Sequence, residues 1–179
     1  MDAVICCIAL NENNYIEEWI SYHLKLGFSK IYIYDNSSDN NLRYLNNSST
    51  VSVLHLPGKK QQYSAYLHFF MTFGRYHKWC AIIDCDEFIV LHKNKNVTDF
   101  LNQYLDSGAL CINWYLFASN GHKNYTNKPV LERFTKRGAK VNKHIKYIVC
   151  CRDFTGCYNP HFPLLREGTI MKDVHGNIV

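Results

Sequence analysis

The run AVICCIAL at residues 3–10 decides the fold class, because it is apolar at every position. A strand that lies on a wet surface alternates apolar and polar residues, whereas a strand buried on both faces is apolar throughout. Strands of the second kind belong to parallel sheets with helices on either side. Side chains alternate along a strand, so we expect Cys6 and Cys7 to point to opposite faces. The N-terminal run therefore predicts the first strand of an α/β domain.

Extended and helical patterns alternate along the rest of the chain. A helix is predicted from Ile16, with Asn14 and Glu17 as a capping box and Gly27 at its C-terminal end. Further strands are predicted at residues 30–34, 51–56, 79–83, 87–91, 109–117 and 145–151, and further helices at residues 63–77, 97–105 and 130–136. This alternation predicts a three-layer α/β domain with a mostly parallel central sheet.

Length and composition are typical of one globular domain. The 179 residues, of which 47% are hydrophobic, can bury one core, so residues 1–179 are expected to form a single domain. The stretch Asp173-Val174-His175-Gly176 reads as an interruption, which suggests a piece cut from a longer, multidomain protein. No apolar stretch approaches the roughly 18 residues of a membrane span, and no signal peptide is evident.

The net charge of +5 favours an anionic partner. No basic stripe typical of nucleic-acid binding is evident, so no nucleic-acid partner is expected. The nearest basic cluster suits either a diphosphate or a solvated surface, and it consists of Lys136, Arg137, Lys140, Lys143 and Lys146.

The eight cysteines indicate a reducing compartment. They lie mostly within apolar runs, and no CxxC pair occurs, so buried thiols are expected rather than disulfides or a zinc site. Glycosylation of the sequon at Asn36 would block a loop that we expect to bind ligand. We therefore expect a cytoplasmic protein, in the host cytoplasm if the source is viral.

The strongest chemical motif is AIIDCDEF at residues 81–88. Alternate residues of an extended segment point the same way, so Asp84 and Asp86 can face one ligand while Cys85 turns into the core. Two adjacent carboxylates repel each other unless a cation neutralises them, and oxygen ligands suit Mg²⁺ or Mn²⁺. A polar turn after a buried strand is the alternative interpretation.

Other polar loops follow the predicted parallel strands. In open α/β sheets, ligands bind beyond the carboxyl ends of the strands. The loops expected there are residues 11–14, 35–40, 59–62 and 84–87. Asp35 suits a ribose or a base edge, although an Asx turn is the commoner role of an Asp-Asn-Ser-Ser sequence.

The segment Asp84-Cys85-Asp86 resembles the DxD motif of GT-A glycosyltransferases. Over most of its length the chain resembles family 92 (formerly DUF23) and related family 2-like enzymes. The matching positions, in order, are 11–12, 15–19, 32–39, 62, 65–66, 79–89, 114, 117, 121–122, 132–134, 146, 148 and 161–163. The compact size also resembles the glycosyltransferase domain at the start of a multidomain chlorovirus protein.

The resemblance implies a GT-A fold and a UDP-sugar site with a divalent metal ion. It implies that the metal is held by Asp84, Asp86 and His161, although a lone histidine is often structural. Lys146 would lie near the diphosphate, with a surface lysine as the alternative. The implied nucleotide-sugar contacts are Leu10, Asn11, Glu12, Asp35, Gln62, Asp84, Cys85 and Lys146. UDP-glucose is the default donor, and the acceptor would be a glycan or glycoprotein.

The implied reaction transfers a hexose or deoxyhexose with inversion, so a general base must reach the acceptor hydroxyl. Glu132 is the preferred candidate because it follows the polar loop at residues 119–128 and opens a predicted helix. A helix-capping acid or an ion pair with a nearby arginine is the alternative. Asp153 and His122 are reserve candidates for the base. An acceptor platform is predicted from Trp114, Tyr115, Phe117 and His122, although half of such aromatics lie in a core.

Two other functions fit parts of the pattern. A haloacid dehalogenase-like phosphatase also has an apolar strand that ends in DxD, but it expects a hydroxyl residue after the motif, where this chain has Glu87 and Phe88. A non-catalytic nucleotide-sugar-binding module would keep the fold and lose the base. Donor hydrolysis distinguishes the enzyme from such a module.

Overall fold

A computed structural model describes residues 2–47 and 49–179. The first half contains β1 (Ala3–Ala9), α1 (Ile16–Lys25), β2 (Lys30–Asp35), β3 (Val51–His55), α2 (Gln62–Thr72) and β4 (Trp79–Ile82). The second half contains α3 (Val97–Leu101), β5 (Ala109–Asn113), α4 (Val130–Arg133), β6 (Ile145–Cys150), β7 (Phe154–Asn159), β8 (Phe162–Leu165) and β9 (Met171–Asp173). Short 3-10 helices lie at Arg43–Leu45, Gly74–Tyr76, Asn102–Tyr104 and Cys151–Asp153.

The central sheet has seven strands in the order β3-β2-β1-β4-β6-β5-β9. Strands β1 to β4 run parallel to one another, and β9 runs parallel to β5. Strand β6 is antiparallel to both of its neighbours, β4 and β5. Strands β7 and β8 form a separate antiparallel pair. The predicted α/β class with a mostly parallel sheet is confirmed.

Helices cover both faces of this sheet. On one face, Trp19 of α1 and Leu101 of α3 pack in the same buried cluster as Ile5 and Cys7 of β1. On the other face, α2 packs with Val4 and Cys6 of the same strand. The two vicinal cysteines therefore point to opposite faces, as predicted. Full burial of each large apolar side chain contributes roughly 1.5–3 kcal/mol to stability.

Two local predictions near α1 are wrong. No side chain caps the N-terminus of α1; the carbonyl oxygen of Glu12 instead accepts hydrogen bonds from the backbone of Tyr15 and Ile16. Residues 87–91 do not form a strand. Side chains of α1 occupy their backbone groups: Trp19 Nε1 donates to Glu87 O at 2.7 Å, and the Tyr22 hydroxyl donates to Ile89 O at 2.8 Å.

Element ends also differ from the sequence prediction in the second half. The strand predicted at residues 109–117 ends at Asn113, and the helix predicted at 130–136 ends at Arg133. The helices predicted at 63–77 and 97–105 end at Thr72 and Leu101 and continue as 3-10 turns. The sequence also missed β7, β8 and β9, which are short and partly exposed.

Two findings concern cellular context. The helices within residues 2–47 and 49–179 lack the combination of length and apolar character that crossing a bilayer requires. The eight cysteines are free and buried. The prediction of buried thiols is therefore confirmed, whereas the compartment stays a prediction.

Candidate active site

An open cleft of about 420 Å³ lies at the carboxyl edge of the parallel strands. Because β1 is hydrogen-bonded to β2 on one side and to β4 on the other, the loops after these strands meet there. The N-terminus of α2 closes the remaining side. The lining residues are Ile8, Ala9, Leu10, Glu12, Asn36, Lys60, Gln61, Gln62, Asp84, Cys85 and Asp86. The predicted ligand edge is thus the edge at which the cleft forms.

Asp84 is the centre of a polar network in this cleft. Its Oδ2 accepts a hydrogen bond from Lys146 Nζ at 2.7 Å, and its Oδ1 accepts one from Gln62 Nε2 at 3.3 Å. Lys146 is the second residue of β6 and is 3% exposed, so its ammonium is a fixed charge rather than a mobile surface group. The predicted residues Asp84, Gln62 and Lys146 therefore lie together.

Glu87 belongs to the same network, although the sequence analysis did not choose it as a site residue and noted only its place after the DxD segment. Its carboxylate accepts a hydrogen bond from Asp84 N at 2.8 Å and lies 3.6 Å from Lys146 Nζ. Burial raises the pKa of Glu87 to about 7, against the opposing effect of the Lys146 charge. Glu87 thus holds the turn between Asp84 and Asp86 and shares the one buried ammonium there.

Asp86 and Glu12 leave the cleft with negative charge. Asp86 is exposed and makes no hydrogen bond or ion pair with any described residue. Burial, together with the charge of Asp86, raises the pKa of Glu12. Oxygen donors of this kind suit Mg²⁺ or Mn²⁺ when a diphosphate supplies further ligands. Within residues 2–47 and 49–179, no three His, Cys, Asp or Glu side chains converge as a complete protein metal site.

The loop after β2 is organised by Asp35, which is fully buried. Its carboxylate accepts hydrogen bonds from the backbone and hydroxyl of Ser37 and from the backbone of Leu42. These contacts are those of the Asx-turn alternative, and Asp35 does not line the cleft. The neighbouring Asn36 does line it, and the sequence prediction did not include Asn36.

A model of glycosyltransferase family 92 matches residues 2–158, which include β1 to β6 and every strand-end loop of the cleft. The chain belongs to glycosyltransferase family 92. The resemblance stated from the sequence is therefore confirmed. Family membership excludes the interpretation as a haloacid dehalogenase-like phosphatase.

Curated relatives are other family 92 proteins. One from Oryza sativa subsp. japonica is 27% identical over 148 residues, which cover 78% of this chain and 25% of the relative. One from Ricinus communis is 25% identical over 149 residues, which cover 78% of this chain and 27% of the relative. The chain thus spans about a quarter of the length of these two relatives.

The remaining donor-side predictions of this family 92 chain divide into two groups. Leu10, Glu12 and Cys85 line the cleft, and Cys85 is buried as expected. Asn11 follows β1 in a left-handed conformation, with φ of 61°, but it is exposed and does not line the cleft. The sequence prediction also missed Lys60 and Gln61, which lie in a loop that it had placed at this edge.

His161 lies apart from the carboxylate pair. It lines a second cleft of about 540 Å³ beyond β6, and its Nδ1 donates to Ile145 O at 2.9 Å. Its ring contacts Trp114, whose centroid lies 5.5 Å away. The family 92 match ends before this residue. The structure therefore does not bring His161 together with Asp84 and Asp86.

The candidates for the general base lie outside both clefts. Glu132 is exposed on α4, and its side chain makes no hydrogen bond or ion pair with any described residue. Asp153 is buried and paired with Arg166 at 2.6 Å. His122 is exposed and packs edge-on against Phe134. Glu132 is the candidate whose carboxylate is free to meet a ligand.

The predicted acceptor platform is only partly assembled. Trp114 stacks on His144 with centroids 5.3 Å apart, and Lys146 Nζ lies 6.0 Å from its ring. Tyr115 and Phe117 are exposed along the following segment. Trp114 therefore lies between the Asp84 network and the second cleft.

Proposed function

We propose that this chain is a metal-dependent, inverting GT-A glycosyltransferase domain that moves a hexose or deoxyhexose from a UDP-sugar to a glycan hydroxyl. The observation that carries the proposal is the network of Asp84, Lys146, Gln62 and Glu87 beneath an open cleft in a family 92 chain. The parallel strands β1 to β4 with helices on both faces support the GT-A assignment. UDP-glucose is the first donor to test, and a glycan or glycoprotein the first acceptor.

Charge in the cleft supports the donor assignment. Asp86 and Asp84 would hold Mn²⁺ or Mg²⁺ together with the diphosphate, which provides the further oxygen ligands. When bound, this cation would stabilise the charge of the departing UDP. Lys146, fixed by Asp84, would add a second positive charge near the same oxygens.

His161 as a third protein ligand stays a prediction from the family resemblance, because it lines a different cleft from Asp84 and Asp86. A carbonyl oxygen accepts hydrogen bonds only, so Nδ1 of neutral His161 carries the proton and its Nε2 keeps a lone pair. Nε2 has no hydrogen-bond partner among the described residues. A histidine oriented by a backbone carbonyl in this way is typical of metal ligands.

The nucleotide would lie along the loops after β1 and β2. Leu10 and Glu12 would form one wall, the exposed Asn11 between them would contact the nucleotide from outside the cleft, and Gln62 and Cys85 would lie at the end nearest the diphosphate. Asp35 would act through the loop that it holds, since its carboxylate oxygens are already hydrogen-bonded. Buried free thiols support a reducing compartment, and we propose the cytoplasm.

The donor half of the proposal is tested by UDP release from a panel of UDP-sugars with and without Mn²⁺, in parallel with calorimetric binding of UDP. We expect metal-dependent binding of UDP and slow hydrolysis of at least one donor. Failure of UDP to bind with any metal would overturn the donor assignment. UDP binding without turnover of any donor would instead favour the non-catalytic module. That alternative is compatible with the position of Glu132, which is exposed and lies outside both clefts.

The acceptor half depends on Glu132 as the base. Once an acceptor is known, Glu132→Gln is expected to lower transfer about a hundredfold or more, because proton removal by a positioned base contributes that much. UDP binding should not change, because Glu132 lies outside the donor cleft. Glu167→Gln is a matched control at an exposed carboxylate. Equal transfer by wild type and Glu132→Gln would reject this assignment.

A further inference from the structure

An exposed segment joins β5 to β6, and we define residues 114–144 as the basic arm. Its two ends are hydrogen-bonded to each other, with Trp114 N donating to His144 O at 3.1 Å and Asn142 N donating to Trp114 O at 2.8 Å. An isolated bridge between Phe117 and Arg137 continues this pairing outward. The basic arm is therefore a ribbon that leaves the sheet beside Lys146 and the Asp84 network.

The positive charge of the chain is concentrated in the basic arm. The arm contains seven Lys and Arg and one acidic residue, Glu132. The rest of the chain contains thirteen basic and fourteen acidic residues and is close to neutral. Six of the arm's basic side chains are exposed, namely Lys123, Lys128, Lys136, Arg137, Lys140 and Lys143. Exposed positive charge is therefore concentrated in the arm. An ordinary solvated surface would not need such an excess of basic over acidic residues.

Large apolar side chains are exposed among these charges. Leu116 is 55% exposed and Phe117 54%, and Leu131 and Val141 are also exposed. The Arg137 guanidinium lies 4.0 Å from the ring centroid of Tyr115, so a positive charge and an aromatic side chain are in contact within the arm. Aromatic rings stack on sugars, but Leu and Val do not. The aliphatic members therefore point to a partner that offers both negative charge and a hydrocarbon layer.

We propose that the basic arm binds the surface of an anionic lipid bilayer. Interfacial segments combine Lys and Arg with apolar side chains that enter the boundary between headgroups and acyl chains. Each basic residue near such a surface strengthens binding roughly fivefold. The proposal does not depend on the transfer reaction. Because the arm leaves the sheet beside Lys146, bilayer binding would hold the cleft close to the membrane surface.

The charge contribution is tested by co-sedimentation of the chain with phosphatidylcholine vesicles that contain about a third phosphatidylserine. We expect binding to these vesicles, little binding to pure phosphatidylcholine, and release by high salt. Lys136→Glu with Lys140→Glu should lower binding about tenfold or more. The matched control is Lys93→Glu with Lys95→Glu, which makes the same change in net charge at two exposed lysines outside the arm. Equal loss in both double variants would overturn the proposal, as would absence of binding at low salt.

The apolar contribution separates a bilayer from a soluble polyanion. Leu116→Ser with Phe117→Ser should weaken vesicle binding without changing net charge, whereas Met71→Ser on α2, where Met71 is 82% exposed, should not. Binding to heparin, a soluble polyanion, should not respond to either change. If the arm binds heparin as tightly as vesicles and the Leu116 and Phe117 variant binds vesicles normally, the partner is an anionic polysaccharide and the lipid proposal is wrong. Circular dichroism confirms that each variant is folded.

Discussion

The carboxyl edge of the sheet and the basic arm lie side by side but are built in different ways. At the sheet edge, polar groups are held by buried partners: Asp35 is fully buried, and Lys146 joins Asp84 to Glu87. In the basic arm most side chains are exposed, and the backbone is paired by a single isolated bridge and a few hydrogen bonds. The arm is attached to α1 through Glu18, whose carboxylate accepts from Val130 N and Leu131 N.

If both proposals hold, the difference separates two tasks: donor binding at the sheet edge and partner binding in the arm. A donor site that stabilises a leaving group needs charges fixed in advance, and burial fixes them. A surface that meets a large partner needs free side chains on a segment that can adjust, and exposed loops provide these. Substitutions at the sheet edge should therefore affect chemistry or global stability. Substitutions of the arm's exposed basic and apolar residues should affect partner binding while the domain stays folded, whereas Glu132→Gln in the same arm should affect transfer.

The largest effect is expected from Asp86→Asn. Asp86 has no intramolecular partner among the described residues, so its loss should leave the free energy of unfolding unchanged. If Asp86 holds the proposed metal ion and diphosphate, its removal should lower UDP release about a hundredfold to a thousandfold. Asp39→Asn, at an exposed acid on the same edge, is the matched control. If UDP release survives in Asp86→Asn, the assignment of Asp86 to the proposed metal and diphosphate site is wrong.

The pH dependence of stability tests the scaffold beneath the sheet edge. Burial lowers the pKa of His23 to about 4, below its usual 6.5. Its Nε2 accepts from Ile89 N, so the folded protein holds the neutral ring, whereas the unfolded chain binds a proton below pH 6.5. Stability from His23 is thus complete above pH 6.5 and falls by about 3 kcal/mol towards pH 4. Unfolding of His23→Phe in urea across this range should show less acid destabilisation than wild type.

Glu87 acts in the opposite direction and provides the contrasting variant. Its pKa of about 7 lies above its usual 4.5, so the folded protein binds a proton that the unfolded chain does not bind between these values. Stability from Glu87 therefore increases as the pH falls from 7 to 4.5 and offsets the loss at His23. Glu87→Gln should be more acid-sensitive than wild type. If the free energy of unfolding depends on pH identically in His23→Phe and Glu87→Gln, the opposite pKa shifts of His23 and Glu87 are wrong.

Much of the donor edge could be predicted from sequence because two local rules agree there. Unbroken apolar runs indicate strands buried on both faces, and polar residues at their ends, such as Gln62 and Asp84, then face a common edge. The family resemblance added Lys146, which is distant from Asp84 in sequence but is hydrogen-bonded to it in the structure. What these rules could not provide is the partner of each side chain. Asp35 lies in a predicted site loop, yet its carboxylate is directed inward to Ser37 and Leu42.

The structures of the basic arm and of the C-terminal strands could not be predicted from the sequence, because contacts between distant residues determine where these strands end and how they pair. The apolar and β-branched residues at 109–117 favour one long strand, but β6 pairs only as far as Asn113. Residues 87–91 have a strand-like pattern, but α1 side chains occupy their backbone groups. The position of His161 depends on how β7 pairs with β8, a short hairpin with irregular register. No local pattern encodes such pairings.

A moderate loss of stability is expected when the buried ammonium is removed. Lys146→Met leaves Asp84 and Glu87 as neighbouring acids without their shared positive charge. We expect the free energy of unfolding to fall by about 2 kcal/mol, which is less than for a fully buried pair because Asp84 is partly exposed. Lys172→Met breaks an ion pair with the exposed Asp106 and should have little effect. If both variants lose the same free energy of unfolding in chemical denaturation, the ion pair of Lys146 contributes no more to stability than the exposed pair of Lys172 and Asp106.

The smallest effect, and the most local, is expected from Glu18→Ala. The variant leaves two amides at the start of α4 without their acceptor and should weaken arm attachment by about 1 kcal/mol. Exchange at the amides of Val130 and Leu131, and tryptic cleavage after Lys123 and Lys136, should accelerate while the melting temperature hardly changes. Glu17→Ala, which removes a contact to the Tyr44 hydroxyl on the same helix, is the control. Faster cleavage with unchanged UDP binding would show that the arm can open independently of the donor edge, whereas a parallel loss of UDP binding would show that arm and edge form one cooperative unit.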